Sequence, residues 1–172
     1  MKSKSIPFWL FFLLLIIFNG CSEKYRIGYP IENSNKRLSI RVENRSMAGQ
    51  IGPTLNRTVK DELAKMGILQ VANHPNDAKF LVLIILEDYS QHAQAYNPDD
   101  TLLASGFELR IRARVQVSNR KNGQSISSFT LSTRGFAMRS RSLEKPRDRQ
   151  ALMDMSRELG SRIARKLVYQ SF

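Results

Sequence analysis

The sequence is poor in the residues that most often carry catalysis or bind metals. Among its 172 residues there are one cysteine, Cys21, and two histidines, His74 and His92. A single cysteine cannot form an internal disulfide, and neither histidine stands at a metal-ligand spacing from another candidate ligand. No Gly-x-Ser-x-Gly elbow and no phosphate-cradling glycine loop occurs. We therefore expect no catalytic residue, no metal and no cofactor, and we interpret the chain as a binding or assembly protein.

An apolar run long enough to cross a membrane is also missing. The run from Ile6 to Phe18 has 13 residues, whereas a membrane-spanning helix needs about 20. Lys2 and Lys4 precede the run, and Asn19-Gly20-Cys21 follows it. This is the three-part layout of a secretory signal peptide. We predict that residues 1–20 are a signal peptide that is removed from the mature protein.

The residues that end this segment resemble the lipobox of bacterial lipoproteins. In a lipobox, a small residue precedes a cysteine that receives acyl chains such as palmitate and becomes the new N-terminus. Gly20 and Cys21 stand in these positions, which predicts Cys21 as the lipidation site and residues 21–36 as a lipidated tether. Two or three acyl chains, at about 0.8 kcal/mol per buried CH₂, anchor a protein durably. The alternative is a plain signal peptide followed by a chance cysteine.

Acidic residues are scarce relative to basic ones. The chain has 27 Lys and Arg against 15 Asp and Glu, and removal of Lys2 and Lys4 with the signal peptide leaves 25 against 15, a net charge of +10. Such a charge favours an anionic partner. An exported, membrane-tethered protein meets little nucleic acid, so phosphorylated lipid headgroups or acidic glycans are the anions that we expect. The alternative is that the charge only keeps the domain soluble.

The remaining sequence has the length and patterning of one domain, which we assign to residues 37–172. Period-two alternation or continuous apolar runs predict strands, and apolar residues spaced three and four apart predict helices. The predicted elements are a strand over Arg37–Asn44, a helix over Pro53–Met66, strands over Phe80–Leu86, Phe107–Val117 and Ser125–Phe136, and a helix over Arg147–Tyr169. Ile68–Val71 is predicted as a short extended piece, and the strand that begins at Phe80 is expected to run past the core to Tyr96, with a loop over Asn97–Asp100. This β-α-β-β-β-α order predicts an α+β fold with two helices packed on one face of a four-stranded mixed sheet.

The strand over Phe107–Val117 has the clearest alternation in the chain. One face is apolar and should pack against the helices, so that Leu109, Ile111 and Val115 face Leu55, Leu63, Leu159 and Ile163. The other face carries Arg110, Arg112 and Arg114, at intervals of about 6 to 7 Å. Guanidinium groups match phosphate oxygens with two-pronged hydrogen bonds, which makes this face a candidate anion site. The alternative is an ordinary solvated sheet face.

Several short motifs occur in an order and at a spacing that resemble the lipopolysaccharide-assembly lipoprotein family, LptE, over nearly the whole chain. They are the lipobox at Cys21, the strand end Val42–Ser46, the helix end Met66-Gly67, the turn Asn76-Asp77-Ala78, a long turn over Tyr96–Gly106, and the hairpin Lys121-Asn122-Gly123. The fold of that family is two helices on a four-stranded sheet, which agrees with the fold predicted from the residues.

The resemblance implies an outer-membrane lipoprotein, anchored on the periplasmic side, that takes part in lipopolysaccharide transport and assembly at the cell surface. Its implied partners are the β-barrel translocon LptD, in which it would sit as a plug, and lipopolysaccharide itself. Ser22, directly after the cysteine, suits sorting to the outer membrane. The candidate lipopolysaccharide-binding residues are Arg110, Arg112, Arg114 and Arg134.

Two other functions remain open at this point. The segment Glu43–Ser46 also resembles the small outer-membrane lipoproteins that activate peptidoglycan synthases. Those proteins usually carry a longer, proline-rich tether than the roughly fifteen residues available here. A pilotin-like lipoprotein that escorts a secretin is the second alternative. The protein that co-purifies with the chain would distinguish the three functions.

Overall fold

The computed structural model describes residues 37–97, 100–138 and 148–170. The predicted signal peptide, Cys21 and the tether lie outside these residues. The elements in chain order are β1 (Arg37–Asn44), α1 (Ile51–Met66), β2 (Gln70–Val71), a 3₁₀ turn (Pro75–Asp77), β3 (Phe80–Asn97), β4 (Asp100–Asn119), β5 (Ser125–Met138) and α2 (Asp148–Tyr169).

The strands form one mixed sheet in the order β2-β1-β3-β4-β5. β1 is parallel to β2 and β3, while β3, β4 and β5 are antiparallel neighbours. α1 packs on β1 and β2, α2 packs on β5 and β4, and the two helices pack on each other. This arrangement confirms the predicted α+β fold with two helices on a mixed sheet.

The predicted number of strands is wrong by one. Gln70 and Val71 pair in parallel with Arg37 and Leu38 and form a fifth strand at the edge of the sheet. The extended piece predicted over Ile68–Val71 contains this strand, but two residues are too few for an alternating pattern to identify them as a strand of the sheet. Its pairing is set by the neighbouring strand β1 and not by its own residues.

The predicted long turn over Tyr96–Gly106 is also wrong, because β3 and β4 continue as paired strands through most of it. Ala95 pairs with Gly106, and Tyr96 pairs with Ala104. Residues Gln91 to Tyr96 are exposed, so this part of the strand pair needs no apolar alternation. The predicted extension of β3 to Tyr96 is thus confirmed, whereas β4 begins at Asp100, before the alternating pattern that predicts it.

The predicted core is confirmed. Each residue of the set has at most 1% of its surface exposed: Leu55, Leu63, Leu109, Ile111, Val115, Leu159 and Ile163. They belong to one cluster that joins both helices to the sheet. Burial of each such side chain contributes roughly 1.5 to 3 kcal/mol, so this cluster fixes which face of the sheet the helices cover.

The helix ends agree closely with prediction. α1 begins at Ile51, two residues before the predicted start, and ends at Met66 as predicted. Gly67 has φ 68°, and its N–H donates to the Leu63 carbonyl at 3.1 Å; glycine adopts this left-handed geometry at little steric cost. Within the described ranges, no helix combines the length and the apolar character needed to span a bilayer.

Candidate functional site

The candidate site lies on the face of the sheet opposite the two helices, which we call the open face. The residues of β4 that alternate with its buried apolar residues point to this face. They include Arg110, Arg112 and Arg114, and all three side chains are about half exposed. The helix-facing residues between them, Ile111 and Ala113, are buried. The predicted assignment of the two faces of β4 is therefore confirmed.

Three of the four predicted arginines line one cavity on the open face. Arg110 of β4 pairs directly with Arg134 of β5, and Arg112 lies two residues further along β4. These three residues line a cavity of about 260 Å³ together with Asp88, Ser90, Ile111, His92, Ser132 and Thr133. Arg114 lies on the same face but does not line the cavity. The volume is below the roughly 300 to 1,000 Å³ of drug-sized ligand sites, so the cavity suits a small anionic group better than a large ligand.

Glu108 holds the two paired arginines in place. Its carboxylate accepts hydrogen bonds from Arg110 Nε at 2.9 Å and Arg110 Nη2 at 3.0 Å, and from Gln94 Nε2 at 3.1 Å. Arg134 Nε lies 3.7 Å from the same carboxylate. Like charges directly opposite on neighbouring strands repel, and Glu108 offsets this repulsion. The hydrogen bonds from Arg110 hold the pKa of the Glu108 carboxyl below its usual range.

Two further carboxylates contact the arginines of β4. Arg112 Nη1 lies 3.1 Å from Asp88 Oδ2, and Arg114 Nε lies 2.8 Å from Glu87 Oε1. Adjacent residues of a regular strand point to opposite faces. Here the register shifts between Leu86 and Tyr89, so that Glu87 and Asp88 together face one stretch of β4. This β-bulge places both carboxylates on the open face.

The arginines keep hydrogen-bonding capacity for a ligand. Four arginines on the open face contact three carboxylates, and each guanidinium has five N–H donors. Arg110 uses two nitrogens on Glu108, whereas Arg112 makes one contact, to an Asp88 side chain that is itself 64% exposed. Arg134 is 68% exposed, and the contact it makes to a carboxylate of the described residues is the longer one to Glu108. Arg112 and Arg134 are therefore the most available anion-binding groups.

The carboxylate partners were not predicted from the sequence, and neither was the position of His92. His92 pairs with Glu108 across β3 and β4 and lines the same cavity. A register shift leaves no pattern in the sequence, so the contacts of Glu87 and Asp88 could not have been predicted. Glu108 alternates with the arginines along β4, and this spacing could have indicated its contact with Arg110. Among the described residues, no three His, Cys, Asp or Glu side chains lie together as metal ligands would.

A larger cleft, of about 790 Å³, lies between the β1–α1 connection and the start of α2. Its lining includes Tyr89, Asp148 and Arg149, with mostly uncharged neighbours. Burial raises the pKa of the Asp148 carboxyl. An acidic group beside a single arginine is a poor receptor for an anion, and none of the predicted arginines lies here. The open face remains the better candidate for an anionic ligand.

The chain matches a known family, and its fold is similar to that of solved lipoprotein structures. A family described as lipopolysaccharide-assembly, LptE, matches residues 36–167. No curated protein matches the chain. A minor lipoprotein from Acinetobacter baumannii has a similar structure, with 18% identity and a TM-score of 0.52 over 78% of this chain and 91% of that one. The rare lipoprotein B from Shewanella oneidensis has 18% identity and a TM-score of 0.53 over 77% and 94%. At such identities the two structures establish the fold alone.

Proposed function

The chain belongs to the LptE family of lipopolysaccharide-assembly proteins, and we propose that it acts at the outer membrane as partner and plug of an LptD β-barrel translocon. In this proposal residues 1–20 are removed, acyl chains on Cys21 anchor the mature chain on the periplasmic side, residues 21–36 form the tether, and residues 37–172 form the working domain. The family is one of assembly proteins and not of enzymes, so the domain would work by binding alone.

We further propose that the open face binds lipopolysaccharide through its phosphate groups. The observation that carries this step is the convergence of Arg110, Arg112 and Arg134 on one cavity of about 260 Å³. Guanidinium-phosphate contacts are charge-assisted and often two-pronged, so they exceed neutral hydrogen bonds in strength. The mature net charge of +10 adds long-range attraction for a phosphorylated glycolipid.

The carboxylates of the open face would give this site its geometry. Glu108 orients Arg110 through two hydrogen bonds, which reduces the side-chain entropy lost on binding, while Asp88 and Glu87 contact Arg112 and Arg114. They also reduce the net positive charge of the face. Such a site should therefore bind a phosphate group reversibly, as an assembly protein that passes its ligand on requires.

Binding of purified lipopolysaccharide to the purified domain tests this proposal. Arg112→Gln together with Arg134→Gln should weaken binding, and so should Arg112→Lys with Arg134→Lys, because lysine keeps the charge but lacks the fork. Arg57→Gln on α1 is the matched control, since Arg57 is 84% exposed and pairs with Asp61 away from the open face. Wild-type affinity should fall with added salt, because exposed charges are screened beyond about 8 Å at physiological ionic strength. Unchanged affinity in the double variants would contradict the site.

Co-purification from cells tests the partner. The tagged wild-type chain should retain the LptD-like barrel of its own organism after detergent extraction. Recovery of a peptidoglycan synthase instead would support the activator alternative, and recovery of a secretin would support a pilotin. Loss of barrel co-purification in the arginine variants, with unchanged lipopolysaccharide affinity, would make the open face a protein interface.

A further inference from the structure

The outer edge of β5 is long and weakly protected. β5 is last in the order β2-β1-β3-β4-β5, spans 14 residues and, in the described part of the chain, pairs only with β4. Proteins usually protect such an edge by shortening it, placing proline or several charges on it, or covering it. The opposite edge strand, β2, has two residues. β5 has no proline, and Arg134 is its one charged residue. Among the described residues no strand covers its outer edge, and an added strand would have to displace one side-chain contact, from Arg162 to the Ser132 carbonyl.

The backbone groups of β5 that face outwards can be identified from the register. Asn119 N–H donates to the Gln124 carbonyl at 2.9 Å, which fixes a hydrogen-bonded pair at the start of the β4–β5 hairpin. In an antiparallel ladder such pairs alternate with pairs that make no mutual hydrogen bond. The two kinds of pair can be counted along the register from Asn119, past the irregularity beside Val117. This count makes Ser132 and its partner Arg112 a pair without mutual hydrogen bonds. The N–H and C=O groups of Ser132 therefore face away from β4.

A side-chain contact supports the same assignment independently. Arg162 of α2 donates a hydrogen bond from Nη1 to the Ser132 carbonyl at 2.7 Å. The guanidinium can reach this oxygen because the Ser132 carbonyl points to the outer edge of the sheet and not towards β4. By the same alternation, outward N–H and C=O groups belong to Ser128, Thr130, Ser132, Arg134 and Phe136.

The side chains along this edge indicate what kind of strand would fit. Arg134 is 68% exposed and Arg162 is 40% exposed, and Lys166 lies over the Phe129 ring. The acidic group beside them, Glu158, already contacts Thr133 and Arg162. At the far end, Phe136 and Met138 are 71% and 76% exposed. The edge is therefore positive in its middle and apolar at its far end.

We propose that the edge of β5 accepts an extended segment of the barrel partner as an added strand. This segment would carry a carboxylate beside Arg134 and an apolar side chain beside Phe136, because cross-strand neighbours of complementary type stabilise pairing. The inference rests on the proposed function for the identity of the partner. A second copy of the chain fits poorly, since it would bring two positively charged edges together. Main-chain hydrogen bonds would supply affinity and the two side chains would supply specificity.

Amide hydrogen exchange, resolved by residue, tests this strand addition in the full mature chain, alone and in complex with its co-expressed barrel. The outward amides of Ser128, Thr130, Ser132, Arg134 and Phe136 should exchange roughly tenfold or more slowly in the complex. Those of Phe129, Leu131 and Thr133, already bonded to β4, should change little. A complex in which the outward amides exchange as fast as in the free chain overturns the inference and leaves the proposed function standing. Failure of any complex to form overturns both.

Substitution at one outward position gives a second test. Ser132→Pro removes an outward N–H without removing a donor to β4, and it should reduce recovery of the barrel complex by tenfold or more. Ser132→Ala keeps the N–H and is the matched control. Circular dichroism and the melting temperature of the free variants establish that the fold is intact. If both variants fold and recover equal amounts of the barrel complex, the added strand is overturned. If Ser132→Pro does not fold, the hydrogen-exchange measurement decides.

Discussion

Gly160 of α2 lies so close to Thr58 of α1 that a Cβ atom at position 160 would stand 2.9 Å from the Thr58 Cβ and Cγ2 atoms. Contacts this short are essentially absent between real Cβ atoms. The backbone nitrogen of Val59 would also lie 3.4 Å away. Glycine at position 160 therefore sets how closely the two helices approach, and the pair of helices in turn covers the core face of the sheet.

Replacement of Gly160 by Ala should destabilise the domain even though alanine is the better helix former. Alanine gains about 1 kcal/mol of helix propensity, whereas overpacking of a close contact costs about 1 to 3 kcal/mol. We expect a net loss of stability, measured as a lower urea midpoint. Thr58→Ala in the Gly160→Ala background removes Cγ2 and should restore part of the loss. A higher midpoint for Gly160→Ala alone would contradict the close approach.

Ile111→Ala should destabilise the domain far more than Arg112→Ala. Ile111 is 1% exposed in the core, and truncation of such a side chain costs about 2 to 5 kcal/mol. Arg112 is on the open face, where substitutions usually change stability by about 0.5 kcal/mol or less. Denaturant unfolding of the two variants measures both values. Equal losses would mean that the two faces of β4 are assigned in reverse.

The Glu108 carboxyl should titrate below the usual range of glutamate, and the contribution of its ion pair to stability should depend on pH accordingly. Its pKa is lowered first by the hydrogen bonds from Arg110. A carboxyl whose folded-state pKa is depressed contributes stability above its unfolded-state pKa of about 4.3, and that stability is lost as the pH falls through the folded-state value. Arg110→Gln should raise the titration midpoint of Glu108, measured by carbon-detected NMR. An unchanged midpoint would contradict the contact.

Cys21→Ala should release the protein from the membrane. In the proposed maturation the acyl chains on Cys21 supply the anchor. Membrane fractionation in high salt and the intact mass of the mature wild-type protein measure the two parts of this prediction. Ser22→Ala, which leaves the cysteine in place, is the control. A wild-type mass without acyl chains would refute lipidation.

Most of the fold could be predicted from the sequence because burial imposes a period on it. β4 alternates because one side meets the helices and the other meets solvent, so Ile111 and Arg112 could be assigned to faces from their positions alone. The helices show the matching three-and-four spacing at Leu55, Leu63, Leu159 and Ile163. A strand or helix with one buried face and one exposed face therefore shows a periodic spacing of apolar residues in its sequence.

The remaining features depend on contacts between strands and could not be predicted from local pattern. β2 is recognised as a strand only by its pairing with β1, and β4 extends back to Asp100 only by its pairing with β3. The arginines of the open face could be predicted, but their partners could not. Glu87 and Asp88 reach Arg114 and Arg112 only through the register shift of β3, which is a property of pairing between distant residues.

The parallel position of β1 has a consequence for the order of folding. β1 is the first strand of the described chain, but its partners, β2 and β3, come after α1. The hairpins β3–β4 and β4–β5 are closed by short loops. Pairing of β1 with β3 closes the longer loop that contains α1, and it therefore costs more chain entropy. We therefore expect β3, β4 and β5 to nucleate the sheet and β1 to join late. The strand nearest the N-terminus would then be among the last to be locked in place.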